Sequence, residues 1–140
     1  MAFMDWDEQY ATGIEDIDND HKALFMFVND LHDKIAANAD EDSIESTLTG
    51  LVDYVNVHFV REENLLETVD YPDLDEHAEA HRRLSARVIS LQEQFENDQE
   101  NFDRNAFLDF LKAWLTGHIM YTDMDYVPFV RDKKAYPPGV

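Results

Sequence analysis

The chain has 140 residues, 44% of them hydrophobic, with 31 acidic side chains against 11 basic ones and a formal charge of -20: enough for one domain with a buried core, and a charge that argues against nucleic-acid or anionic-membrane partners. Cysteine is absent, which excludes disulfides, thiolate metal ligands and iron–sulfur clusters. The opening MAFMDWDEQY lacks a basic stretch followed by an apolar one, and no apolar run reaches membrane length, so the expectation is a cytoplasmic protein without a signal peptide.

The first seventeen residues read as an arm, with Trp6, Tyr10, Ile14 and Ile17 as its packing contacts. Beyond them, apolar residues recur at steps of three and four in four blocks, the helical signature. The first block covers about 18–38, with the DND at 18–20 offering N-caps, and its seam is His21, Leu24, Val28, Leu31 and Ile35. A second block starts near DEDS at 40–43 and runs to about Glu67, along Leu48, Leu51, Val55, His58, Glu62 and Leu65. The third follows Tyr71-Pro72-Asp73, a suitable helix start, and reads Leu74, His77, His81, Leu84, Val88, Leu91 and Phe95. The fourth begins near Asp103 and reads Phe107, Leu111, Trp114 and His118. Pro128 signals its close, and an irregular tail is expected over 126–140.

Glycine and proline are too sparse for a sheet protein with many turns, at four each. Alternating three- and four-residue steps with short connections predict an all-α, antiparallel up-down-up-down four-helix bundle. The expected organisation is one domain over 1–140, with the arm at 1–17, the bundle at 18–125 and the tail at 126–140.

The seams carry residues that burial ordinarily disfavours: His21, His58, Glu62, His77, His81 and His118. A lone buried histidine is ordinarily a core residue bonded to a carbonyl. These lie at the starts of the first and third helices and the ends of the second and fourth. In an up-down bundle those positions share one end, so the polar groups converge on one level. His32 falls beside its seam and reads as an exposed surface residue. Neutral imidazoles with a carboxylate and no thiolate suit iron, manganese or zinc. Five histidines exceed the ligand number of one structural zinc, so two metals fit better, with Glu62 able to bridge them.

Taken together, His21, the pair His58 and Glu62 in HFVRE, the pair His77 and His81 in HAEAH, and the pair His118 and Asp123 in HIMYTD resemble the hemerythrin family, specifically single-domain bacterial hemerythrins. All seven ligand positions of the family pattern are matched, and the flanking YPDLDEH and WLTGHIMYTD are similar too. The resemblance implies a non-haem centre of two iron ions, oxo- or hydroxo-bridged. One iron is held by His77, His81 and His118, the other by His21 and His58, with Glu62 and Asp123 bridging. It implies an open position on the iron of His21 and His58, where dioxygen binds, and an apolar oxygen pocket from Leu24, Phe59, Trp114 and Ile119.

The implied function is reversible dioxygen binding for storage, delivery or scavenging. Five imidazoles against two carboxylates favour a carrier over an enzyme, because the bundle's di-iron oxygenases use more carboxylates. Alternatives are a di-iron enzyme or sensor handling peroxide or nitric oxide, and an iron buffer. One spacing stands out. Five residues of regular helix, at about 100° each, leave Asp123 about 140° around from His118. Either a π-type bulge between them or a loosening of the helix at its end would bring the acid inward, so an irregular turn is expected there.

Overall fold

The computed structural model describes residues 2–133. A single 3-10 turn, Glu8–Tyr10, precedes α1 (Glu15–Ala36), α2 (Glu41–Thr68), α3 (Leu74–Asn97), α4 (Arg104–His118) and α5 (Val127–Lys133). The first four helices form the bundle, joined by the short connectors 37–40, 69–73 and 98–103. α1 packs against α2 and α4, and α2 also packs against α3. Among the described residues, no helix is long and apolar enough to cross a membrane.

Helix starts follow side-chain chemistry. Asp40 caps α2 by accepting from the Ser43 amide, and Asp103 caps α4 by accepting from the Ala106 amide, which satisfies amides a helix start leaves unpaired. α1 departs from expectation: it begins at Glu15, a turn before the DND motif. Its cap, Ile14, makes no side-chain bond. Instead Asp18 reaches back from inside the helix and accepts from the Thr12 amide, the Thr12 hydroxyl and the Gly13 amide. Ile17 therefore belongs to α1, not to the arm. Two helix ends are turned by residues in the left-handed region, Asn38 after α1 and Asp70 after α2, at φ of 53° and 55°. Asparagine and aspartate tolerate that conformation better than most residues.

The arm is pinned to α1. Asn29 accepts from the Met4 amide at 2.7 Å and donates to the Met4 carbonyl at 2.8 Å. Trp6 and Tyr10 set their rings edge-on to Phe25, at 5.5 and 5.3 Å. His32 is not a bare surface residue: Phe3 stacks on it at 4.5 Å, and its side chain keeps 36% exposure.

The expected irregular tail is helical from residue 127 to the last described residue. Pro128 does not end a helix; it sits in the first turn of α5, where a proline sacrifices no helical hydrogen bond. Tyr126, Val127 and Val130 bury themselves against Ile14, Ile17, Leu66 and Val69. Pro137, Pro138 and the rest of that tail lie outside the described residues. At the end of α2 the buried position is Leu66 rather than the expected Leu65, which is only half-buried.

Two apolar clusters result. The larger fills the bundle through Val28, Leu48, Leu51, Val55, Val88, Phe95 and Leu111. The smaller, around Tyr126, caps one end. Between them along each chain segment lies a layer of polar residues.

Candidate metal centre

That layer holds ten buried polar or charged residues less three, Thr12, Asp20 and Thr47, and the seven that remain are His21, His58, Glu62, His77, His81, His118 and Asp123. α1 supplies His21. α2 supplies His58 and Glu62 one turn apart, and α3 supplies His77 and His81 in the same way, because residues four apart share a helix face. Their donor atoms form two groups within 4.8 Å: Glu62, His77, His81, His118 and Asp123; and His21, His58, Glu62 and Asp123. Both carboxylates belong to both groups.

The sharing is resolved oxygen by oxygen. Glu62 Oε1 lies 2.5 Å from His77 Nε2 and 2.9 Å from His81 Nε2, while Oε2 faces His58 Nε2 at 3.6 Å. Asp123 Oδ1 lies 3.1 Å from His118 Nε2 and 3.5 Å from His77 Nε2, while Oδ2 lies 3.0 Å from His21 Nε2. Each carboxylate thus offers one oxygen to the three-histidine group and one to the two-histidine group.

Close as these atoms are, most are not hydrogen-bonded. His21 Nδ1 and Nε2, the Nε2 atoms of His58, His81 and His118, and both Asp123 oxygens are buried without a hydrogen-bond partner. Orphaned buried polar atoms are costly and rare. Two donors at right angles around a metal with bonds of about 2.1 Å stand about 3.0 Å apart, which matches three of these spacings, His81 to Glu62, His118 to Asp123 and His21 to Asp123. The donor set therefore fits metal ions.

Asp123 reaches this layer through a change of helix type. Ile119–Asp123 form a π-helical turn, and the Met124 amide donates to the Ile119 carbonyl five residues back. The wider turn absorbs the extra residue, so Asp123 is 0% exposed, as the expected irregular turn required. Tyr121, in the same turn, faces solvent at 79% exposure.

Electrostatics follow from packing. Burial pushes the Glu62 carboxyl up, but contacts from His77 and His81 and the charge of His58 outweigh it and hold it well below its ordinary value. For Asp123, burial and the Glu62 charge act upward, and His118 and His21 bring it below its ordinary value. Burial lowers His118, yet Asp123 and Glu62 raise it above its ordinary value. Without metal, both carboxylates thus favour the ionised form and His118 favours its protonated one.

Three residues around the layer were not anticipated from the sequence. Asp20, 2% exposed, accepts from His58 Nδ1 at 2.9 Å and from the Tyr54 hydroxyl at 2.9 Å. Glu63 accepts from His81 Nδ1 at 2.8 Å. Tyr126, fully buried, donates to Glu62 Oε2 at 2.9 Å; burial and the Glu62 and Asp123 charges push its hydroxyl well above its ordinary pKa, so it stays a donor. Asp20 and Glu63 are each the sequence neighbour of a site residue, a weak signal in a chain so rich in acids.

The four expected pocket residues are all buried in the larger apolar cluster: Leu24, Phe59, Trp114 and Ile119. Phe59 lies flat against the His81 ring at 3.8 Å, with the His58 and His118 rings also within 6 Å.

Comparison with known proteins finds matches over most of the chain. The model of the hemerythrin HHE cation binding domain matches residues 12–130. The chain is 33% identical over 129 residues to a bacteriohemerythrin of Methylococcus capsulatus, covering 91% of this chain and 97% of that one. It is 34% identical over 131 residues to a bacteriohemerythrin of Pseudomonas aeruginosa, covering 94% and 84%. A crystal structure of wild-type hemerythrin matches with a TM-score of 0.82 at 32% identity, over 91% of this chain and 97% of that one.

Proposed function

Because the chain belongs to the hemerythrin family, we propose that it binds dioxygen reversibly at a non-haem centre of two iron ions, as an oxygen store, carrier or scavenger in the cytoplasm. His77, His81 and His118 hold one ion, His21 and His58 hold the other, and Glu62 and Asp123 are shared by both. When bound, a ferrous pair supplies the two electrons that dioxygen binding needs and recovers them on release.

The observation that carries this reading is the division of each carboxylate between the two histidine groups. A site for a single ion has no use for carboxylates that face two ways. The two groups are also unequal, since one has three imidazoles and the other two. The side of His21 and His58 therefore offers an ion one imidazole fewer.

The remaining residues act on access and charge. Leu24, Phe59, Trp114 and Ile119 form a dry wall that keeps water from the site, which suppresses loss of bound oxygen as a reduced product. Tyr126 holds Glu62 Oε2 in place by its hydrogen bond. Five neutral imidazoles and two carboxylates balance four positive charges only in part, which keeps the ferrous state accessible.

The test is anaerobic loading with ferrous iron, metal analysis, and an oxygen titration followed by visible absorption. Two irons per chain and a spectrum that appears with oxygen and disappears on its removal are expected. One-way oxidation overturns the carrier reading, and sustained consumption of peroxide or nitric oxide replaces it with an enzyme.

A further inference from the structure

In each metal group one imidazole has its far nitrogen held by a carboxylate, and the two holders differ. Glu63, behind His81, has a side chain 33% exposed. Asp20, behind His58, is almost wholly buried. Its Oδ1 accepts from the Tyr54 hydroxyl at 2.9 Å. Its Oδ2 accepts from His58 Nδ1 at 2.9 Å and lies 3.3 Å from Arg61 Nε. Asp20 thus stands next to His21 on α1 while its carboxylate grips His58 on α2. One side chain ties together both histidines of the two-histidine group.

The chemistry of that grip is directional. An ionised carboxylate only accepts, so His58 carries its proton on Nδ1 and leaves the Nε2 lone pair free. Nε2 is the atom that faces Glu62. His21 has no comparable holder, since its far nitrogen, Nδ1, has no hydrogen-bond partner while Nε2 faces Asp123. The preparation of this half of the centre therefore falls on Asp20.

We propose that Asp20 is a positioning residue that selects the His58 tautomer with Nε2 open to metal and keeps the His21–His58 half of the centre assembled. The metal part of this proposal rests on the di-iron reading above; the tautomer part concerns the metal-free chain as well. Tyr54 and Arg61 support the role by holding Asp20 charged and oriented, and Arg61 extends the network to the surface, where it is 47% exposed.

Asp20→Asn tests it with little change of size. The Tyr54 hydroxyl, which donates to Oδ1, claims the one remaining oxygen, so the new amide N–H takes the Oδ2 position and turns toward His58 Nδ1. The proton then moves to Nε2, as it does when the buried aspartate behind a catalytic histidine is replaced by asparagine. Two measurements read this: nitrogen NMR of the His58 ring in the metal-free protein, and anaerobic ferrous titration of the wild type, Asp20→Asn and Tyr54→Phe.

The wild type is expected to carry the proton on Nδ1 and Asp20→Asn on Nε2. Affinity for one of the two irons is expected to fall about 10–100-fold in Asp20→Asn, the usual cost of losing such a support, with the other iron retained. Tyr54→Phe, which leaves the carboxylate in place, shifts the same iron in the same direction but less. An unchanged tautomer with both irons bound at wild-type affinity overturns the proposal. So does equal loss of both irons with a lowered melting temperature of the metal-free protein, which marks a merely structural role. If the wild type itself fails to take up two irons, the di-iron reading falls, and the ring-nitrogen spectra still decide whether Asp20 sets the tautomer.

Discussion

The middle of the bundle and its metal end are equally buried but are held together by opposite means. At mid-bundle, Val28, Leu51 and Leu111 are 0% exposed and belong to the larger apolar cluster. Each such side chain stabilises the fold by about 1.5–3 kcal/mol through removal from water, whatever else is bound. At the metal end, His21, Glu62 and Asp123 are also 0% exposed, yet the ring nitrogens of His21 and both oxygens of Asp123 have no hydrogen-bond partner. Burying that layer costs the bare chain desolvation that its carboxylate–imidazole contacts offset only in part, and cations between its donors would offset more. The apolar clusters on either side allow the chain to carry such a layer.

This contrast can be broken from either end. Glu62→Ala removes the oxygens shared by both donor groups, and it should abolish di-iron loading; two irons per chain after desalting would refute the assignment of Glu62. Leu51→Ala does the reverse. It should lower the stability by about 2–5 kcal/mol, the range for a buried leucine, read from the urea midpoint, while iron content stays at two per chain. Loss of iron in that variant would mean that the two regions are not independent.

A pH series on the metal-free protein sharpens the comparison. Glu62 and Asp123 sit below their ordinary values in the folded chain. Their contribution to stability is present above the unfolded carboxylate range, about 4, and is lost as pH falls through the folded values. His118 sits above its ordinary value of 6.5, so its contribution is complete below that pH and is lost as pH rises through the folded value. The metal-free chain should therefore be most stable between about 4.5 and 6.5 and weaken on both sides. Bound iron would take the place of the His118 proton, so the loaded protein should not weaken on the alkaline side. Urea midpoints across pH for both forms check this. The smallest effect belongs to Tyr121→Ser on the outer face of the π turn, which should stay within about 0.5 kcal/mol of the wild type with full iron content. A larger change would mean the outer face also shapes the turn.

Much of this was legible along the chain. The seam positions of α1 and α4 predicted which faces are buried, because helical periodicity is local and survives in any bundle. Even an irregular turn was foreseeable, since His118 and Asp123 are five apart and a regular helix cannot bring both inward; that it is a π turn rather than a loosened end came from the structure. Errors came where local signals compete. DND at 18–20 looked like a cap, but Asp18 works from inside α1, reaching back to Thr12 and Gly13. Pro128 looked like a stop but opens α5, because a proline is read differently in the first turn of a helix than beyond its last.

The sequence by itself determined four helices, their apolar faces, and the one level at which histidines and acids meet, since spacing along a helix sets which side a residue faces. Only the tertiary structure decided which oxygen of Glu62 and Asp123 faces which histidines, that Asp20 holds His58 across 38 positions, and that Tyr126 closes on Glu62 across 64. Those pairings depend on how helices rotate and slide against one another, and packing of whole faces sets that rotation, which no short motif records.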